Sequence, residues 1–175
     1  RSRAMTPGSA DAGRARDMVP LRVAVYGTLL PGCRNAALMA GSRSLGSGVA
    51  RGVGLFAHLG ARCPAAARLG APHAARVEVF DLPDLDAARA LDRLERYPEW
   101  YDRELIAVEM ELEGPDVMAW IYIMPHEAAS REGGAELIAS GSWKQYLDSV
   151  GVAWDAPLEK IPPPPGEEGN TNLAR

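Results

Sequence analysis

The chain has little of what most metal and cofactor chemistry needs. It holds 2 cysteines and 3 histidines in 175 residues. His58, His73 and His126 are scattered, and Cys33 and Cys63 form no pair motif. That excludes a zinc-type ligand spacing and a disulfide framework. Both thiols are expected to stay free in a reducing compartment, the cytoplasm. No run approaches the ~18 consecutive apolar residues of a membrane span. The net charge of -4 is mild and gives no reason to propose nucleic acid or an anionic membrane as partner. The segment YGTLLPG at 26–32 lacks the lysine and second glycine of a phosphate cradle. It also lacks the three spaced glycines of a dinucleotide site, and no nucleophile elbow occurs anywhere. Carboxylates, tyrosines and backbone amides remain, with no metal and no cofactor expected.

What is present is the composition of a soluble globular protein, 47% hydrophobic and 24% charged. One domain is expected over residues 19–160. Residues 1–18 are basic, small and polar and read as a disordered leader without the apolar core of a secretory signal. Residues 161–175 begin with a proline run and read as an extended polar tail.

Residues 22–26 read as a short, fully buried strand. Residues 34–40 suit a short helix closed by Gly41. The glycine-rich stretch 43–59 reads as one bent or bulged strand, 60–74 as a loop, and 75–80 as a strand. Asp84 is a plausible N-cap for a helix over 84–96. Residues 103–112 and 117–123 form a hairpin around the turn at 113–116. In its first strand Ile106, Val108, Met110 and Leu112 share one face, and Glu109 and Glu111 the other. The return strand is apolar on both faces and belongs in the middle of its sheet. A last helix spans 142–149, capped by Ser140 or Ser142 and stopped by Gly151. These elements argue for an α+β protein: a small mixed, mainly antiparallel β-barrel with flanking helices and an internal cavity.

One carboxylate breaks the pattern. On a helical wheel Ala87, Ala88, Leu91 and Leu94 share a side, opposite Asp86, Arg89, Arg93 and Arg96. Glu95, four residues after Leu91, points with the apolar stripe. It either pairs with a buried arginine, reaches water where the helix frays near Pro98, or serves as a general base in a cavity. In the last case burial raises its pKa toward neutrality, where a carboxylate can take a proton and return it. Tyr97, Trp100 and Tyr101 follow directly and either pack or present a hydroxyl to a ligand.

Taken in order, these pieces resemble a known family. The strand and turn VAVYGTLLPGCRN, the helix end and turn LDRLERYPEWYDRELIAVEM, the strand AWIYIM and the late SGSWKQYL are similar to those of the γ-glutamylcyclotransferase-like proteins, AIG2-like branch. The resemblance runs from Val23 to Leu147. It implies a small mixed barrel with a cavity and cleavage of a γ-glutamyl amide. In that reaction the substrate's own α-amine attacks its γ-carbonyl, giving 5-oxoproline and a free amine. The resemblance further implies Glu95 as general acid/base and Tyr26, Gly27, Thr28 and Leu29 as the lining for the γ-glutamyl part. Tyr101 and Tyr122 are further candidates for the pocket, and both suit a core equally well. The substrate is a small molecule. The same chemistry would remove a γ-glutamyl protecting group from a biosynthetic intermediate. Two departures stand out. Arg76 and Val77 precede Glu78 where many relatives carry glycine before the acidic residue, and Arg96 stands where relatives often carry glycine. The alternative function is a non-catalytic module of the same fold that binds a small metabolite.

Overall fold

Val23, Ala24 and Val25 carry no polar side chain, and the strand they form is buried on both faces. In the computed structural model, which describes residues 21–58, 60–131 and 135–162, this strand is β1 (Arg22–Val25). It pairs antiparallel with β5 (Ala74–Asp81) and parallel with β7 (Val117–Ile123). β2 (Arg43–Arg51) lies on the far side of β5, and β6 (Asp102–Met110) joins β2 to β7. The order β1-β5-β2-β6-β7 closes a barrel. The fold is thus α+β with a closed, mainly antiparallel barrel.

Strand alternation sorts the apolar residues into two cores. Ala24, Val77, Val79, Ile106, Val108, Ala119 and Ile121 pack together in one, joined by Trp143 and Leu147. Val23, Val25, Phe80, Trp120 and Tyr122 turn the other way and pack with Ala88 and Leu91 of α1 (Leu85–Leu94). Asp84 caps α1 as its sequence predicts, accepting from the Ala87 N–H at 2.8 Å. Burying Leu91 completely contributes roughly 1.5–3 kcal/mol, so this stripe holds the helix to the barrel. α3 (Trp143–Ser149) starts at Ser142, whose side chain accepts from Gln145 N–H, and Gly151 follows it with φ +70°.

Four expectations need correction. The stretch 43–59 is two strands, not one: it turns at Gly52 (φ +76°), and β3 (Val53–His58) leaves the barrel. β3 pairs with β4 (Cys63–Arg68) on one side and β8 (Glu136–Leu137) on the other. The expected bulge does exist, as a register shift in β2 between Ser44 and Gly46. The expected loop 60–74 therefore contains β4. The expected helix 34–40 is a 3₁₀ turn at Ala36–Met39 with no side-chain cap. Leu112 lies beyond the end of β6 and is exposed, while Ile106 and Val108 are buried. A short helix α2 (His126–Arg131) was not expected at all. The leader 1–18 and all of the tail after Pro162 lie outside the described residues; Ile161, the tail's first residue, is buried. No helix among the described residues is long and apolar enough to cross a membrane.

Candidate active site

β1 ends at a tight loop. The Leu30 N–H donates to the Gly27 carbonyl at 3.0 Å and the Asn35 N–H to the Thr28 carbonyl at 2.9 Å. The Asn35 side-chain amide also donates to Thr28 Oγ1 at 3.0 Å, which ties the loop across its base. Among the described residues, the N–H groups of Gly27, Thr28 and Leu29 donate to no backbone carbonyl. Gly27 is required by its neighbour: a Cβ there would stand 2.2 Å from Pro64 Cγ. The close approach that the glycine permits is thus to the β4 proline, which lines the same cavity.

Glu95 sits at the C-cap of α1. The chain leaves the helix through a Schellman turn: Tyr97 N–H donates to Asp92 C=O at 2.9 Å and Arg96 N–H to Arg93 C=O at 3.3 Å. That turn needs a left-handed residue right after the cap, and Arg96 supplies it with φ +51°. The arginine standing in the glycine position is therefore tolerated, at a cost of about 1–2 kcal/mol. Its guanidinium lies 4.6 Å over the Trp100 ring.

The loop after β1, the end of α1 and the start of β4 enclose a cavity of about 680 Å³. Tyr26, Gly27, Thr28, Leu29, Glu95, Tyr101 and Tyr122 all line it. Glu95 has no hydrogen-bond or ion-pair partner among the described residues, and burial alone pushes its carboxyl up to about 7. Of the open readings of this residue, pairing with a buried arginine fails. The buried arginine of this region, Arg103, pairs with Asp92 at 3.2 Å and stacks 3.9 Å from the Tyr97 ring centre.

The tyrosines are held in place by their hydroxyls. Tyr26 donates to the Tyr122 carbonyl at 2.9 Å, Tyr101 to the Pro64 carbonyl at 2.9 Å, and Tyr122 to Asp92 Oδ1 at 2.7 Å. Burial raises the pKa of all three phenols and pushes the Cys63 thiol up to about 11. Burial thus moves these groups away from neutrality and moves Glu95 toward it.

The departure at Arg76–Glu78 does not touch this cavity. Glu78 accepts from Ser44 Oγ at 3.0 Å and Arg76 pairs with Glu111 at 3.1 Å, around a separate hollow of about 160 Å³. Several lining residues were not foreseen: Arg34, Asn35, Arg62, Cys63, Pro64 and the stretch from Asp155 to Glu159. Asn35 had a signal, since it closes the quoted VAVYGTLLPGCRN motif.

A family model described as gamma-glutamyl cyclotransferase, AIG2-like, matches residues 23–145. The chain belongs to this family. Solved structures of similar fold include an uncharacterized protein of Pyrococcus horikoshii, at 21% identity and TM-score 0.53, covering 75% of this chain and 96% of that one. An AIG2-like protein of Mus musculus is 23% identical with TM-score 0.55, covering 61% and 78%. A uropathogenic Escherichia coli-specific protein is 22% identical with TM-score 0.57, covering 75% and 98%. At these identities the likeness is one of fold. No curated protein matches it.

Proposed function

We propose that this protein is a γ-glutamyl cyclotransferase in which Glu95 is the general acid/base. The observation that carries the reading is a buried carboxyl without a partner, facing a family-type cavity, with a pKa of about 7. The substrate's α-amine arrives mainly as ammonium, which is no nucleophile. Ionised Glu95 takes its proton. The amine nitrogen then attacks the γ-carbonyl carbon, a C–N bond forms, and the carbonyl oxygen gains negative charge. The N–H groups of Gly27, Thr28 and Leu29 are the candidate donors for that oxygen or for the α-carboxylate. As the original amide C–N bond breaks, Glu95 returns the proton to the departing nitrogen, and the ring nitrogen, left cationic by the attack, releases its second proton to solvent. The products are 5-oxoproline and a free amine. The tyrosines, held neutral, shape the cavity so that the substrate bends into the cyclising conformation. The free thiols Cys33 and Cys63 fit a cytoplasmic setting.

Incubation with a panel of γ-glutamyl amines and amino acids, with 5-oxoproline as readout, tests this. The native chain releases 5-oxoproline and the Glu95→Gln variant does not. A folded native protein that binds panel members without releasing 5-oxoproline would instead be the binding module of the same fold. Arg96 lines the same cavity, with its guanidinium over the Trp100 ring, which also lines it.

A further inference from the structure

Arg103 of β6 and Tyr122 of β7 are cross-strand partners, and both side chains reach α1. There they meet one carboxylate. Asp92 takes the Arg103 guanidinium at 3.2 Å and the Tyr122 hydroxyl at 2.7 Å. The Arg103 side chain is only 4% exposed, so its charge needs a partner inside the protein. A second acid is close by. Glu95 follows Asp92 by three residues, which puts the two on neighbouring positions of one helix face. The charges of Asp92, Glu95 and Arg103 all act on the one hydroxyl of Tyr122. The guanidinium also packs 3.9 Å over the ring of Tyr97, two residues beyond Glu95. One buried cation thus stands near two carboxylates, and it pairs with Asp92. The other groups facing Glu95 leave it unpaired. Tyr26, Cys63, Tyr101 and Tyr122 surround it, and burial moves all four away from neutrality. Arg34, Arg62, Arg96, Asp155 and Glu159 also line the cavity, and among the described residues none of them pairs with it.

We propose that Asp92 is a positioning residue: it holds and neutralises the Arg103 guanidinium, which Glu95 would otherwise bind. The consequence for catalysis rests on the cyclotransferase reading; the pairing does not. A Glu95 carboxylate locked to Arg103 by charge-assisted hydrogen bonds would stay ionised at neutral pH. It could not carry a proton from the attacking amine to the departing nitrogen. Asp92 keeps Glu95 free to do so. The backbone of Asp92 has a separate task, since its carbonyl accepts from Tyr97 N–H at 2.9 Å in the turn that presents Glu95. A change of the side chain leaves that bond in place.

The test follows the Glu95 carboxyl by carbon NMR in the full chain, with circular dichroism to show that each variant folds. The native midpoint is expected near 7. Asp92→Asn keeps an acceptor for the Tyr122 hydroxyl and removes the charge that holds Arg103. Its Glu95 midpoint should fall by on the order of 1–3 pH units, the size of a nearby opposite charge. Adding Arg103→Met should bring the midpoint back to the native value. The rising limb of kcat/KM should move with the midpoint in each variant, whereas a purely structural loss lowers kcat and leaves the limb in place. An unchanged midpoint in folded Asp92→Asn overturns the proposal. So does a fall that Arg103→Met does not reverse. Loss of the fold in Asp92→Asn overturns it as well, because a guanidinium able to reach Glu95 would have found its second partner there. Activity measured beside the titration separates the two ideas. If the native chain releases 5-oxoproline and the midpoint does not move, the cyclotransferase reading stands and the role of Asp92 falls. If the midpoint moves as expected and no chain releases 5-oxoproline, the role of Asp92 stands and the reaction falls.

Discussion

Asp81, at the end of β5, and Glu95, at the end of α1, are two carboxylates treated in opposite ways. Asp81 accepts from Arg22 Nε at 2.6 Å and from Arg43 Nη2 at 2.7 Å. Those guanidinium hydrogen bonds, Arg22's first, hold its carboxyl down at about 2. Glu95 has no such partner, and burial lifts it to about 7. A third carboxylate, Asp92, lies three residues before Glu95 and takes both Arg103 and the Tyr122 hydroxyl. Among the described residues, Asp81 and Asp92 are thus paired where they hold the frame, while Glu95 is left unpaired in the cavity. Structure alone would not favour that arrangement, because an unpaired buried carboxyl weakens the fold at neutral pH.

The sharpest way to break the comparison is to remove the unsatisfied acid. Glu95→Gln keeps the shape and abolishes proton transfer. Release of 5-oxoproline should fall by about 10²–10⁴-fold, with an unchanged circular dichroism spectrum. Full activity in the variant would take Glu95 out of the mechanism. The pH dependence follows from the same group. The proposed mechanism requires Glu95 ionised before substrate binds, so it predicts that kcat/KM rises with pH through about 7. A rising limb near 4.5, the value of an ordinary glutamate, would mean the cavity does not perturb it.

Stability should separate the two acids by sign. Glu95 has a raised folded pKa, so its penalty is absent below the unfolded value, grows as pH rises, and is complete above about 7. Glu95→Gln should therefore stabilise the chain by about 1–3 kcal/mol at pH 8 and by nothing measurable at pH 4. Asp81 is depressed, so its contribution is present above its unfolded value and lost as pH falls through about 2. Asp81→Asn should cost about 1 kcal/mol at pH 7, a figure discounted for its partly exposed arginines. Urea denaturation at pH 4, 7 and 8 reads both. The same sign for both variants at neutral pH would erase the distinction.

The smallest effect concerns the turn that presents Glu95. Arg96→Gly places the usual residue at the left-handed position. A gain of about 0.5–1 kcal/mol is expected, set against the lost stacking on Trp100. A loss of stability would show that the stacking outweighs the backbone strain.

Much of this frame could be read before any coordinates. Asp84 and the spacing of Ala88 and Leu91 define α1, and the same spacing puts Glu95 among apolar neighbours. The period-2 pattern of Ile106 and Val108 and the doubly apolar return strand define the β6–β7 hairpin, with β7 between β6 and β1. The family motifs supplied the roles expected of the loop after β1. Other features carried no local signal. CPAAAR, the sequence of β4, has no β-branched or aromatic residue, and alanine favours helix. Only pairing with β3 makes it a strand. The break at Gly52 between β2 and β3 resembles the other glycines of that stretch. Arg34 and Arg62 belong to segments far apart in sequence, and tertiary packing alone brings both to one cavity.

The most direct test of the account is the titration of the Glu95 side-chain carboxyl, followed by carbon NMR in the full chain without substrate. The account predicts a midpoint near 7, with Asp81 in the same spectra near 2. A Glu95 midpoint near 4.5 would contradict it, because the cavity would then hold an ordinary surface acid.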